Sequence, residues 1–186
     1  PWPLPRAAAG HAALAPWTRP SRRRRLALDV PVVTDSGAPI TLRAWLDRRP
    51  TLLVIWAAWC APCLRESPDL ARLSARLENA DARLAIRALQ AFDATPADQA
   101  RRTLARLEAG GLVGARASRS AERLLLDIFG PTRESRSRIP LPAMLLIGPD
   151  GAELARHTGL IEGAGGGYTY WRDAATFDFL MTFGRV

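Results

Sequence analysis

Lysine is missing from this chain: all 26 of its basic residues are arginines, and cysteine and histidine occur only twice each. Alongside abundant alanine, the arginine usage reads as a compositional bias rather than as a basic face shaped for a partner. The formal charge of +8 attracts phosphate, yet the arginines are spread over helices and loops without interleaved aromatics or a nucleic-acid-binding motif. Solvated helix faces are therefore expected, with no nucleic acid as partner. A closed structural zinc site needs four ligands, and His11 and His157 lie far apart in sequence and far from the cysteine pair. No stretch approaches the ~18 consecutive apolar residues of a membrane span. A starting methionine is also absent, so an upstream segment is expected, and the sequence leaves open whether it is a signal peptide or a membrane anchor.

What the chain does have is its two cysteines in one place, Cys60-Ala61-Pro62-Cys63, behind Trp59. The apolar run 51–56 before them reads as a fully buried strand, and 64–70 after them reads as a helix. A helix N-terminus carries unpaired N–H groups and partial positive charge, which favour a thiolate. The thiolate is the nucleophile of disulfide exchange, so a C-x-x-C pair at this junction points to redox chemistry. A purely structural disulfide is a poor alternative, because closing so small a loop removes little unfolded-state entropy.

The rest of the chain reads as one domain over 26–186 behind a flexible Pro/Arg-rich tail over 1–25. Pro1, Pro3, Pro5, Pro16 and Pro20 break any periodicity in that tail, and Arg22 to Arg25 form an unbroken basic run. β-prone pieces at 26–33 and 39–42 flank the turn Asp35-Ser36-Gly37. A short helical turn is expected over 43–49. The helix after the cysteines buries Leu70, Leu73 and Leu77, with a kink at Pro68. A strand is expected over 84–89. A helix capped by Thr95, with Pro96 in its first turn and Asp98 as capping-box acid, then runs to Gly110-Gly111. A strand at 112–117 and a helix at 120–129 follow. The strand 143–147, the turn Pro149-Asp150-Gly151 and a strand at 153–158 form a hairpin, with His157 as a surface strand residue. A mobile glycine loop at 163–167 precedes a last helix over 173–183 that buries Phe177, Leu180 and Met181. This order gives an α/β sandwich with a mixed sheet.

The run Leu-Leu-Val-Ile-Trp-Ala-Ala-Trp-Cys-Ala-Pro-Cys-Leu-Arg-Glu-Ser-Pro at 52–68 resembles the thioredoxin fold, and in particular the extracytoplasmic thiol–disulfide oxidoreductases of the TlpA/ResA type. Leu141-Pro142 before a core strand is similar to that family's cis-proline, and Ile147-Gly148-Pro149-Asp150-Gly151 to its following hairpin. The stretch 37–42 resembles the N-terminal β-hairpin added in this branch. The resemblance spans roughly 26–183, a combination more specific than C-x-x-C alone. It implies a thioredoxin-like three-layer sandwich with a mixed β-sheet and an N-terminal β-hairpin extension.

By the same resemblance, Cys60 is the exposed attacking cysteine, Cys63 the buried resolving one, and Pro142 lies opposite with a cis peptide bond. Glu66 matches the active-site glutamate and would tune thiol proton affinity. Val54 stands where cytoplasmic thioredoxins carry a buried aspartate. Trp59, Ala61, Pro62 and Leu141 would contact substrate, the Leu141 backbone by strand addition. Trp56 is expected in the core and Trp59 exposed; Tyr168, Tyr170 and Trp171 are candidates for packing near the site. Gly148, where the family has aspartate, and the segment 159–172 depart from the pattern. The implied activity is a protein-disulfide oxidoreductase, a periplasmic or extracytoplasmic reductase working without a cofactor or metal. Its partners would be disulfide-containing client proteins and a membrane dithiol donor that re-reduces it as a monomer. Clients in cytochrome c or copper-oxidase maturation fit the branch. A module that binds copper through the same two thiolates is the alternative from a different class.

Overall fold

The computed structural model describes residues 4–163 and 165–184. Its strands are β1 (Arg24–Arg25), β2 (Pro31–Thr34), β3 (Pro39–Thr41), β4 (Thr51–Trp56), β5 (Ala85–Gln90), β6 (Gly114–Ala117), β7 (Ala143–Ile147) and β8 (Ala152–Thr158). Its helices are α1 (Arg6–Ala9), α2 (Leu42–Trp45), α3 (Ala61–Asn79), α4 (Ala97–Arg106), α5 (Arg119–Phe129) and α6 (Ala174–Met181), with 3-10 turns at Ala12–Leu14 and Tyr170–Arg172. All eight strands form one sheet in the order β1-β8-β7-β4-β5-β6-β2-β3. The β4–β5 and β5–β6 pairs are parallel and the others antiparallel, so the sheet is mixed.

β4 is buried along its whole length because helices cover both faces of the sheet. Successive side chains of a strand point to opposite faces. Leu52, Val54 and Trp56 therefore join one core with Leu70, Leu73 and Leu77 of α3 and Phe179 and Leu180 of α6. Leu53 and Ile55 join a second core with Leu124, Leu125 and Ile128 of α5 and with Leu42 and Trp45 of α2. This is the three-layer sandwich that the resemblance implied. The hairpin β2–β3 pairs through β2 onto β6, so the N-terminal extension lengthens the sheet.

Several local expectations shift. Residues 4–25 are not a loosely docked tether: Leu4, Ala8, Ala13, Leu14 and Trp17 belong to the α3–α6 core. Thr18 bridges to Arg156, and β1, part of the arginine run, pairs with β8. The prolines confine the segment to short pieces, α1, a 3-10 turn and β1, and the apolar residues between them still gain from burial. Pro1 and Pro3 lie outside the described residues. His157 packs against this segment, its ring centroid 6.2 Å from that of Trp17 and its Nδ1 2.8 Å from the Pro16 carbonyl oxygen, so it is half-buried rather than a surface residue. α4 begins one residue later than expected, with Pro96 at its cap and no side-chain cap, and Asp93 rather than Asp98 accepts the Thr95 N–H. It ends at Arg106, ahead of the glycines. α3 continues through Pro68 as one helix. On α6 the fully buried aromatic is Phe179, with Phe177 half-buried. Of the expected glycine loop, Ala164 lies outside the described residues; around it, the Gly163 N–H donates to the Gly167 carbonyl at 2.8 Å.

Tyr170 fastens the N-terminal segment to the body. Its hydroxyl accepts from the Trp17 indole N–H at 2.8 Å and donates to the Ala13 carbonyl at 2.5 Å, both in a buried setting. Tyr170→Phe leaves both groups buried without a partner, a loss of about 1–3 kcal/mol. Urea unfolding of the variant beside the parent measures it; equal midpoints would mean that the segment is held by packing alone.

Candidate active site

The site begins where β4 ends. The register places Ile55 opposite Ala143 and Val54 opposite Met144, so Pro142, just before β7, stands beside the end of β4 from which the loop 57–60 departs. The Leu141–Pro142 peptide bond is cis, as the resemblance implied. Pro142 is buried and Leu141 half-buried, and the Pro142 carbonyl accepts from the Gly159 N–H at 2.8 Å.

Cys60 is the N-cap of α3, and its Sγ accepts from the Cys63 N–H at 3.2 Å. Ala61 and Pro62 form the first turn, where a missing N–H costs the helix nothing. Cys60 and Cys63 are joined as a disulfide with their Cα atoms 5.3 Å apart. The expectation that Cys60 is exposed does not hold: the residue is 3% exposed and Cys63 4%. The cap contact explains this, since it turns the sulfur inward onto the helix end. The surface over the pair is made by Ala61, exposed, Pro62, half-buried, and Trp59, 49% exposed. Trp56 is in the core, as expected, and Val54 shares that core with both cysteines.

Asp93 was not singled out in the sequence, yet it braces this loop. Its Oδ2 accepts from the Ala58 N–H at 2.6 Å and from Gln90 Nε2 at 3.0 Å, and its Oδ1 from the Thr95 N–H at 2.8 Å. Burial works to raise its pKa, but those donors from Ala58, Thr95 and Gln90 outweigh it and hold the carboxyl below its ordinary value. The available signal was positional: β5 runs parallel beside β4, so the first acid after β5 falls next to the loop after β4. Trp59 is fixed on the same side by its indole N–H, which donates to the Phe92 carbonyl at 3.0 Å.

Glu66, one turn after Cys63, points inward. The residue is 3% exposed, and neither carboxylate oxygen has a hydrogen bond of ordinary geometry. Burial pushes its pKa up to about 7; the nearby Trp171 indole and Ile161 amide oppose that rise without reaching full hydrogen bonds, and Asp69 adds to it. The segment 159–172 thus supplies the wall over Glu66. It is pinned to α3 by Arg172, whose Nε lies 3.0 Å from Asp69 Oδ2. Of the aromatic candidates, Trp171 is brought to Glu66, Tyr170 turns to the N-terminal segment, and Tyr168 stays exposed near Arg65. Among the described residues no group of three or more His, Cys, Asp or Glu side chains is placed to hold a metal ion.

No protein-family model matches the chain, and no curated protein sequence matches it significantly. Solved structures do match. One is a putative thiol:disulfide interchange protein DsbE from Chlorobium tepidum, 19% identical with a TM-score of 0.59, covering 88% of this chain and 99% of its own. Another is a thiol:disulfide interchange protein of the thioredoxin family from Chlorobium tepidum TLS, at 16% identity and TM-score 0.58, covering 84% and 97%. A secreted thiol-disulfide isomerase from Corynebacterium glutamicum matches at 19% identity and TM-score 0.56, covering 76% and 80%. At these identities the likeness is one of fold, and the fold is thioredoxin-like.

Proposed function

We propose that this protein is a thiol–disulfide oxidoreductase that reduces disulfides of extracytoplasmic client proteins through Cys60 and Cys63. The observation that carries the reading is the Cys60–Cys63 disulfide seated at the N-terminus of α3, with Cys60 Sγ already accepting a backbone N–H. In the reduced protein that N–H and the helix dipole stabilise a Cys60 thiolate. The thiolate attacks one sulfur of a client disulfide, forming a Cys60–client disulfide and releasing the other client sulfur as a thiolate, which takes up a proton. Cys63, deprotonated in turn, attacks Cys60 Sγ; the internal disulfide forms and the second client thiolate leaves. Two electrons pass from protein to client, and a dithiol donor, membrane-bound in this reading, restores the reduced pair.

Trp59, Ala61, Pro62 and Leu141 form the client-facing surface in this scheme, the Leu141 backbone offering an edge to an extended client segment. Pro142 holds that edge against the end of β4. Glu66 acts behind Cys63 as a group that resists a second nearby negative charge when ionised. The secreted isomerase of like fold supports an extracytoplasmic location, and clients in cytochrome c or copper-oxidase maturation belong to the same reading. The working state is a monomer.

Mixing the reduced protein with an equimolar peptide disulfide tests the reading. One peptide dithiol is expected to appear for each Cys60–Cys63 disulfide formed, counted by thiol alkylation and mass spectrometry. Peptide that stays oxidised beside protein that stays reduced would reject it.

A further inference from the structure

Beside Trp59 lies a polar cleft of about 510 Å³ whose lining includes Asp93, Arg116, Arg119, Glu122 and Arg138. It adjoins the redox pair through two shared residues. The Phe92 carbonyl in its wall accepts from the Trp59 indole, and the Arg138 guanidinium lies 5.3 Å from the Trp59 ring centroid. Its two acids are turned to the backbone: Asp93 takes the Ala58 and Thr95 N–H groups, and Glu122 Oε1 takes the Phe92 N–H at 2.6 Å. Arg116 donates to the Asp93 carbonyl at 3.2 Å. Arg119 and Arg138 are exposed and have no ion-pair partner among the described residues. The cleft carries three guanidinium groups against two carboxylates, and its exposed charged side chains, Arg119 and Arg138, are both cationic donors. The segment that carries Arg138 adds Arg133 and Arg136 against the single acid Glu134, all exposed.

We propose that this cleft is a specificity subsite for an acidic side chain of the client, held by Arg119 and Arg138 while Cys60 engages the client disulfide. The inference rests on the oxidoreductase reading and names the class of client it prefers. Arg138 precedes Leu141 by three positions, and three extended residues reach about 10 Å. A client segment laid along Leu141 thus presents to the cleft a residue two to four positions from the attacked cysteine. A carboxylate there meets a guanidinium fork in the geometry that favours paired hydrogen bonds. Charge complementarity of this kind steers encounter and suppresses wrong partners more than it adds affinity.

The test uses three peptide disulfides identical except for Glu, Gln or Lys at that position, each reduced by the stoichiometrically pre-reduced protein. Rate constants should fall in the order Glu, Gln, Lys, with about fivefold between the extremes, the effect of one or two exposed charge pairs. The spread should shrink toward one as added salt shortens the Debye length from ~10 Å to ~3 Å. In Arg119→Glu/Arg138→Glu the order should reverse. The same charge change made as Arg22→Glu/Arg48→Glu should keep it. Arg48 precedes β4, whose first residue pairs with Ile147 at the far end of β7 from Pro142, and Arg22 lies by Glu153 and Arg156 on the outer side of β8, with β7 between it and β4. A parent order that is flat at low salt, one that survives the cleft substitutions, or one that the distant pair alters as much overturns the subsite. Turnover of the Gln peptide separates this failure from failure of the oxidoreductase reading: if that peptide is not reduced either, both fall.

Discussion

A Cys63→Ala protein, reduced and mixed with a client disulfide, should accumulate as a covalent Cys60–client complex, whereas Cys60→Ser should slow exchange by ~10³-fold or more, as loss of a covalent nucleophile does. The asymmetry follows from where the two sulfurs sit. Cys60 is the cap residue, outside the helix, and its Sγ receives the Cys63 N–H. Negative charge on that sulfur is met by a donor and by the positive end of a 19-residue helix. Cys63 lies inside the first turn; both cysteines border the core of α3 and α6, so the cap contact, not burial, distinguishes them. In the proposed scheme attack on a client falls to Cys60 and release to Cys63, and removing Cys63 stops the reaction halfway. Non-reducing electrophoresis followed by mass spectrometry of the adduct reads out both the complex and the bonded cysteine. Equal capture by Cys60→Ala and Cys63→Ala would overturn the assignment of roles, and no capture by either would overturn exchange itself. Because Cys60 is only 3% exposed in the oxidised form, reduction has to free its sulfur from Cys63 before a client can meet it. The captured complex should consequently form from the reduced Cys63→Ala protein only when Cys60 has not been blocked by prior alkylation.

The parts of the fold legible in the sequence are those set by short-range rules. The unbroken apolar run at 51–56, the helical spacing of Leu70, Leu73 and Leu77, and the Pro-Asp-Gly turn before β8 each reflect one element's own patterning or turn chemistry. The Cys60–Cys63 spacing was legible directly, and the place of Pro142 through the resemblance of Leu141-Pro142 to the thioredoxin-like pattern. What escaped depends on contacts between distant segments. Leu14 and Trp17 look like spacers in a proline-rich tail until Tyr170, 153 positions beyond Trp17, supplies a partner for the indole. Asp93 looks like a turn acid until parallel pairing of β4 and β5 brings it under Ala58. His157 reads as a surface residue of a final strand because nothing near it in sequence shows that residues 16–18 add along that edge. The burial of Cys60 is a subtler case. Its place at the start of a helix was legible, but the capping contact that turns the sulfur inward shows only in the structure.

Glu66→Gln should stabilise the oxidised protein by about 3 kcal/mol at pH 8 and by nearly nothing at pH 4. The physical cause is the burial of a carboxylate with neither oxygen properly bonded, which raises its pKa from 4.5 to about 7. The sign follows from linkage. A group whose folded pKa lies above its unfolded value favours the folded state fully at pH below the unfolded value, and that contribution is lost as pH rises through the folded value. Below about pH 4.5 the carboxyl is neutral in both states and the substitution changes little; above about pH 7 the native protein carries a buried charge that glutamine removes. Working with the oxidised protein keeps both thiols out of the titration. Urea unfolding across this range measures the difference: a gain that opens between pH 4.5 and 7.5 and then levels off is the expected result, while a gain independent of pH would assign the effect to packing, and no gain at pH 8 would mean that Trp171 and Ile161 satisfy the ionised carboxylate after all. In the proposed scheme the ionisation of Glu66 is coupled to that of the thiols, because a charged carboxylate behind Cys63 opposes a second negative charge. The same variant should therefore shift the pH dependence of exchange, flattening the part that lies near pH 7, while the trapped complex of Cys63→Ala still forms when Glu66 is also replaced.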